Sequence, residues 1–170
     1  MTMDTNFVVD KMKELQDILG YDFTDIEWLK EAMRAVKVRG KDEHSNDRIA
    51  IVSDTLLKFF LADYLYHDKQ VETKEEITKQ KSDLENNGAL DWVTKKEHII
   101  DYAFNDLHFH SEDNIPDHES VADGKHNGYI EGIIGAIYYD GGYEKAREWI
   151  QSWLLPRLLE YREINNSPKK

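Results

Sequence analysis

The 170-residue chain contains no cysteine, which excludes disulfide scaffolds, thiolate zinc sites and cysteine nucleophiles and fits a reducing compartment. Proline is scarce at 3 residues and glycine at 9, which disfavours turn-rich all-β folds and linker-like chains. Positive charge is in deficit, with 22 Lys and Arg against 34 Asp and Glu and a formal net of −12. A chain whose affinity rested on neutralising phosphates would carry a basic surplus, so nucleic-acid binding here has to come from a local patch or a partner chain. No apolar run approaches the ~18–20 residues that span a bilayer. The start, Met1 to Asn6, lacks the basic stretch and apolar core of a secretory signal. An intracellular protein without membrane segments is expected.

Helical periodicity is what the sequence does have. Phe7, Val8, Met12, Leu15, Ile18 and Leu19 recur at spacings of three and four, and Gly20 offers a left-handed stop. Thr24 or Asp25 can cap a second helix carrying Ile26, Leu29, Ala32, Met33 and Val36. A third helix from about Asn46 to Leu65 is apolar on more than one face, as a central, nearly buried helix would be. Thr73 and Glu76 form a capping-box pattern for a fourth helix, and a fifth segment runs from Leu90 to Phe104. Residues 105–123 hold six acidic side chains, three histidines and no Lys or Arg, and read as an exposed loop. From Tyr129 the chain is strongly apolar until Gly141-Gly142, and a last helix carries Trp149, Trp153, Leu154, Leu155 and Leu158, with Pro156 expected to kink or divide it. The reading is an all-α bundle, one domain over residues 1–164 with a frayed tail at 165–170.

Two segments go beyond generic helix. Asn46-Asp47-Arg48-Ile49-Ala50-Ile51-Val52-Ser53-Asp54-Thr55-Leu56-Leu57 resembles the ribonuclease III signature N-E-R-L-E-F-L-G-D-A-V-L. Ile130-Glu131-Gly132-Ile133-Ile134-Gly135-Ala136-Ile137-Tyr138-Tyr139-Asp140-Gly141-Gly142 is similar to the same family's F-E-A-V-I-G-A-I-Y-L-D-G-G. Leu19-Gly20-Tyr21-Asp22-Phe23 resembles its opening L-G-Y-x-F, Leu84 to Asn87 sits where it has L-V-N, and Leu154-Leu155-Pro156 matches its closing helix. The resemblance covers roughly residues 15–160. It implies an RNase III-like helical bundle, dimeric, that cleaves double-stranded RNA with Mg²⁺ or Mn²⁺ held by four carboxylates. Such chemistry needs oxygen ligands around a hard cation that activates water and stabilises the leaving oxygen.

Carried over position by position, the first carboxylate falls on Ala50 and the third on Gly128, while the second and fourth are kept as Asp54 and Glu131. These two are the expected metal ligands, weakly loaded or unloaded, and Asp47, one turn before Ala50, is the candidate third catalytic carboxylate, acting through water. Half the charge of the site is gone, which favours an endonuclease domain with absent or impaired cleavage, acting as a dimerising, structural or RNA-binding subunit in RNA processing or a ribonucleoprotein. The alternative is an active Mg²⁺-dependent double-strand endoribonuclease using Asp54 and Glu131. Duplex contact would rest on Arg34, Lys37, Arg39, Lys41 and Arg48, against which stands a plain solvated loop. The chain ends soon after its last helix, so no double-stranded-RNA-binding domain is expected.

The histidines invite a metal reading. His108, His110, His118 and His126 alternate with Asp113, Asp117, Glu119 and Asp123, although no compact helical pair of the H-E-x-x-H kind occurs. Glu119 or Asp123 could also fold back to supply a missing carboxylate. The tryptophans at 28, 92, 149 and 153 lie among periodic apolar residues and are expected in the core or at an interface, not under RNA bases. The third helix shows Ile49, Ile51, Val52, Leu56, Leu57, Phe59 and Phe60, more apolar surface than one bundle covers, which argues for a homodimer or a heterodimer with an intact relative. In the resembled family this helix lies at the subunit interface with an aromatic side chain in its partner's socket. Ile51 takes that position here.

Overall fold

The computed structural model describes residues 5–34, 46–104 and 128–166. Helices form where the three-and-four spacing places them: α1 (Thr5–Leu19), α2 (Ile26–Met33), α3 (Asp47–Asp63), α4 (Lys74–Glu85), α5 (Asn87–Lys96), α6 (Tyr129–Gly141), α7 (Tyr143–Trp149) and α8 (Leu155–Asn166). Among the described residues the β structure is confined to an isolated parallel bridge between Arg34 and Phe104. No described helix is long and apolar enough to cross a membrane.

Local chemistry sets the helix ends. Gly20 takes a φ of +61° after α1, a conformation that side-chain-bearing residues rarely adopt. Asp25, and not Thr24, caps α2 by accepting from the Glu27 N–H at 3.0 Å. Thr73 caps α4 through the Glu76 N–H at 3.2 Å, as the capping pattern requires.

The centre of the bundle is α6, in which every residue from Tyr129 to Ile137 is buried. A helix this apolar has to be enclosed, and α2 and α3 pack against it most extensively, with α7 and α5 adding to the enclosure. They come close because two glycines have no side chain. A Cβ on Gly132 would stand 2.9 Å from the Ala32 carbonyl oxygen of α2. One on Gly135 would stand 2.5 Å from Ser53 Oγ and 2.7 Å from the Ile49 carbonyl oxygen of α3. Ser53 is fully buried there, and its hydroxyl is satisfied by donating to that same Ile49 carbonyl at 2.9 Å.

Polar anchors fix the periphery. Asp140, near the end of α6, accepts from the Tyr21 hydroxyl at 3.0 Å, the Thr24 N–H at 3.0 Å and the Asp25 N–H at 2.8 Å. Burial, followed by the hydrogen bond to Asp140, pushes the Tyr21 hydroxyl well above the usual phenol range. Trp149 and Trp153 stack at 4.7 Å, and their indole N–H groups donate to the Leu19 and Ile18 carbonyls at the end of α1. Trp28 stacks on Tyr139 and Trp92 packs against Tyr161, so all four tryptophans pack against aromatic rings of the protein itself.

Three expectations need correction. The third helix is not nearly buried, because only one face, with Ile49, Ser53, Leu57, Phe60 and Leu61, enters the core, while Ile51 is 71% and Phe59 53% exposed. The fifth segment is not continuous: His98 takes a φ of +56° and separates α5 from a 3₁₀ turn over Ile99–Tyr102. Pro156 does not divide the last helix. The wide π turn Ile150–Leu154, closed by the Leu155 N–H on the Ile150 carbonyl, leads directly into α8 and accommodates the missing proline N–H.

Since the Ile49 carbonyl oxygen, 2.7 Å from a Cβ at Gly135, cannot yield without moving backbone, Gly135→Ala is expected to cost about 2 kcal/mol or more through overpacking. Chemical denaturation measures it, and a loss below about 0.5 kcal/mol, the range of a neutral surface change, would show that the α3–α6 crossing opens freely.

Candidate functional site

Two of the four positions carried over from the resemblance, Ala50 and Gly128, meet where α3 approaches the start of α6. A Cβ built on Gly128, the residue that caps α6, stands 3.7 Å from the Ala50 Cβ. Positions 50 and 128 therefore face each other across the helix junction. Asp54 is one turn beyond Ala50 and Glu131 one turn beyond Gly128. With ~5–6 Å between Cβ atoms one turn apart on a helix, the Cβ atoms of Asp54 and Glu131 lie within about 15 Å of one another. Glu131 lies on the same face of α6 as Gly128 and Gly135, the face that meets α3, and is only 6% exposed.

Asn46 holds this corner. It is fully buried ahead of α3, and its Nδ2 donates to the Ala32 carbonyl at 3.0 Å and to the Gly128 carbonyl at 3.4 Å. Its own N–H donates to the Arg34 carbonyl at 3.3 Å. One side-chain amide thus joins the end of α2, the start of α3 and the start of α6.

The remaining site residues are dispersed in character. Asp54 is exposed, and its Oδ2 accepts from Lys58 Nζ at 2.7 Å, one turn further along α3. That hydrogen bond, more than any other cause, raises Lys58 above the usual lysine range. Asp47 is exposed in the first turn of α3, where an anion is favoured by the helix dipole, and Arg48 beside it is exposed too. Arg34 is half-buried, with its guanidinium 5.4 Å from the centre of the Phe104 ring. Lys37, Arg39 and Lys41 lie outside the described residues, as does the stretch holding His108, His110, Asp113, Asp117, His118, Glu119, Asp123 and His126.

The donor set decides what the described residues fit. Ala50 and Gly128 offer no side-chain oxygen, Asp54 is engaged by an ammonium group, and Glu131 is enclosed. Among the described residues no three Asp, Glu or His side chains converge as ligands for a metal ion. They do not fit the four-carboxylate cage that Mg²⁺ chemistry of this type needs, since a divalent cation held by so few oxygens keeps mainly its waters. Sequence reasoning missed Lys58, although its i,i+4 spacing from Asp54 was visible. It also missed the parts of Asn46 and Asp140, whose partners lie far away in sequence.

An all-α bundle whose α3 and α6 juxtapose the two signature segments defines the nuclease-type fold of this domain. The family model described as Ribonuclease-III-like matches residues 37–158, and the chain belongs to that family. It is 26% identical over 163 residues to the ribonuclease 3 of Shewanella frigidimarina, covering 95% of this chain and 69% of that protein. It is also 26% identical over 152 residues to the ribonuclease 3 of Shewanella sp. strain W3-18-1, covering 89% of this chain and 64% of that protein. The chain thus spans about two thirds of the length of these curated relatives. In structure it is similar to the nuclease domain of ribonuclease III from Campylobacter jejuni, with a TM-score of 0.65 and 21% identity over 91% of this chain and 97% of that one. A 2.2 Å crystal structure of the same domain gives a TM-score of 0.62 at 20% identity, over 99% of both chains.

The facing pair gives a direct test. Position 128 has a φ of +65°, which Asp tolerates better than most residues, and it is a helix N-cap, which Asp favours. Ala50→Glu combined with Gly128→Asp is expected to tighten Mn²⁺ binding at least about tenfold over the natural chain. No gain by calorimetry would mean that these positions are not the vacated ligand sites.

Proposed function

We propose that this chain is a ribonuclease-III-like domain serving RNA processing or a ribonucleoprotein, with its own Mg²⁺-dependent cleavage of double-stranded RNA absent or impaired. It acts mainly as a dimerising, structural or RNA-binding subunit. The observation that carries this reading is that Ala50 and Gly128, close enough for a Cβ on Gly128 to stand 3.7 Å from the Ala50 Cβ, bear no side-chain oxygen where the family's pattern has two carboxylates. A phosphodiester-cleaving centre needs a cation to activate water and to neutralise the leaving oxygen. Two oxygen-bearing side chains, one of them hydrogen-bonded to lysine, are a poor support for it.

The dimerising part of the reading is supported by the outer face of α3. Ile51 and Phe59 are 71% and 53% exposed, Tyr66 in the wide turn Tyr64–Asp68 that follows α3 is 62% exposed, and Tyr143 of α7 extends the surface with its ring 6.4 Å from that of Phe59. A row of large apolar side chains along one helix face is what a helix-to-helix interface buries. A second copy of this chain or an intact relative would cover it, and with an intact relative the working site would be the partner's. Duplex RNA is the expected substrate of the assembly, with Arg48, exposed in the first turn of α3, as a candidate contact.

Two measurements test these points. Labelled duplex RNA incubated with the chain and Mg²⁺ or Mn²⁺ is expected to stay intact, with Asp54→Ala/Glu131→Ala as control. Cleavage that vanishes in the control would instead establish an active endoribonuclease using Asp54 and Glu131. Light scattering after size-exclusion chromatography is expected to show a dimer, and Ile51→Asp or Phe59→Asp to weaken it about tenfold or more. A strict monomer would leave the homodimer without support and turn the search to a heterologous partner.

A further inference from the structure

The residues at the α3–α6 junction disagree with the divalent cation that the family resemblance implies, and the disagreement has a definite form. Two ligand positions carry no side-chain oxygen, while of the two carboxylates that remain the exposed one already has a cation. Lys58 extends from the next turn of the same helix, and its Nζ meets Asp54 Oδ2 at 2.7 Å. We propose that Lys58 is a resident cation which takes the place of the divalent ion at Asp54, so that this carboxylate has its counter-charge without metal.

The chemistry of the two kinds of cation favours the lysine. A divalent ion is held by several oxygens at once, and one carboxylate in water cannot outcompete the ion's own hydration shell. An ammonium group is a compact single charge with three donors, matched in charge by one carboxylate and delivered at no loss of translational freedom by a helix that is already folded. The surroundings hold Lys58 in place as a charge. Glu85 of α4 adds to the negative field at Lys58, and Glu85 Oε1 in turn accepts from Lys81 Nζ at 2.7 Å. Charge therefore alternates from Lys81 through Glu85 and Lys58 to Asp54, leaving no excess negative charge along this row for an ion to neutralise.

The inference rests on the reading that the ligand pair at 50 and 128 has been lost, and its test is separable from that reading. Mn²⁺ binding is measured on the full chain by the electron paramagnetic resonance of the free ion, for the natural protein, Lys58→Gln, Asp54→Asn and the double variant. Both side chains are about half exposed, and circular dichroism confirms that each variant folds. An exposed ion pair of this kind corresponds to at most about a five-fold change in affinity. Lys58→Gln is therefore expected to tighten Mn²⁺ binding about three- to five-fold. Asp54→Asn alone is expected to change nothing, and the double variant to return to the natural value. Weaker Mn²⁺ binding in Asp54→Asn, or no gain in Lys58→Gln, would overturn the role given to Lys58. Duplex cleavage by the natural chain would refute the proposed function and is read in a separate assay.

Discussion

The close approach of α6 to α2 and α3 is the constraint from which the rest of the structure follows. Gly132 and Gly135 bring the backbones so near that even one added carbon would meet carbonyl oxygens at 2.9 and 2.7 Å. Interiors are packed to crystal-like density, so such a crossing has one geometry and little freedom to drift. It fixes where α6 begins, and the beginning of α6 is Gly128, directly over Ala50. The candidate site is thus a consequence of core packing. Its scaffold draws stability from buried Ile, Leu and Val, and nothing in that source of stability depends on what residues 50 and 128 are. Side chains can be lost from the junction while the junction itself stays in place.

Polar groups do the complementary work of joining segments that are distant in sequence. Asn46 links three helix ends with one amide, and Asp140 gathers a hydroxyl and two backbone N–H groups from the α1–α2 connection. The stacked pair Trp149 and Trp153 satisfies two carbonyls at the end of α1 that the helix itself cannot. Each of these bonds matters because an unsatisfied buried group carries the full cost of lost hydration. They also explain why the L-G-Y-x-F-like and D-G-G-like segments occur together: Tyr21 of the first donates to Asp140 of the second.

The helices and their core faces were legible because a period of 3.6 is written in every amphipathic segment, and Met12, Leu15, Leu29 and Ile133 are buried as that period requires. Capping by Thr73 and termination at Gly20 were legible for the same local reason. The depth of α3 was not. Ile51 and Phe59 look like core residues by type; the surplus of apolar side chains and the resemblance pointed to an interface, and the three-dimensional arrangement shows which of them sit on the outside. The facing of Ala50 and Gly128 was legible solely through the resemblance, since nothing local relates positions 78 residues apart in sequence. Asn46 and Asp140 escaped for that reason as well, whereas Lys58 was overlooked because an i,i+4 Asp–Lys pair looks like ordinary surface decoration.

On the proposed reading, loss of the metal and stability of the fold are connected. Carboxylates crowded together repel unless a cation sits among them, and at an effective dielectric constant near 20 two such charges ~4 Å apart cost about 4 kcal/mol. A site built for an ion is therefore a strained arrangement whenever the ion is absent. Replacing two members by Ala50 and Gly128 removes their share of the repulsion, and the Lys58 ammonium offsets Asp54. What remains is Glu131, one enclosed carboxylate no longer opposed by three others. Sites that carry function are commonly those where stability has been given up. The junction of α3 and α6 in this chain has moved the other way, toward a settled contact between helices that needs no bound cation to hold its shape.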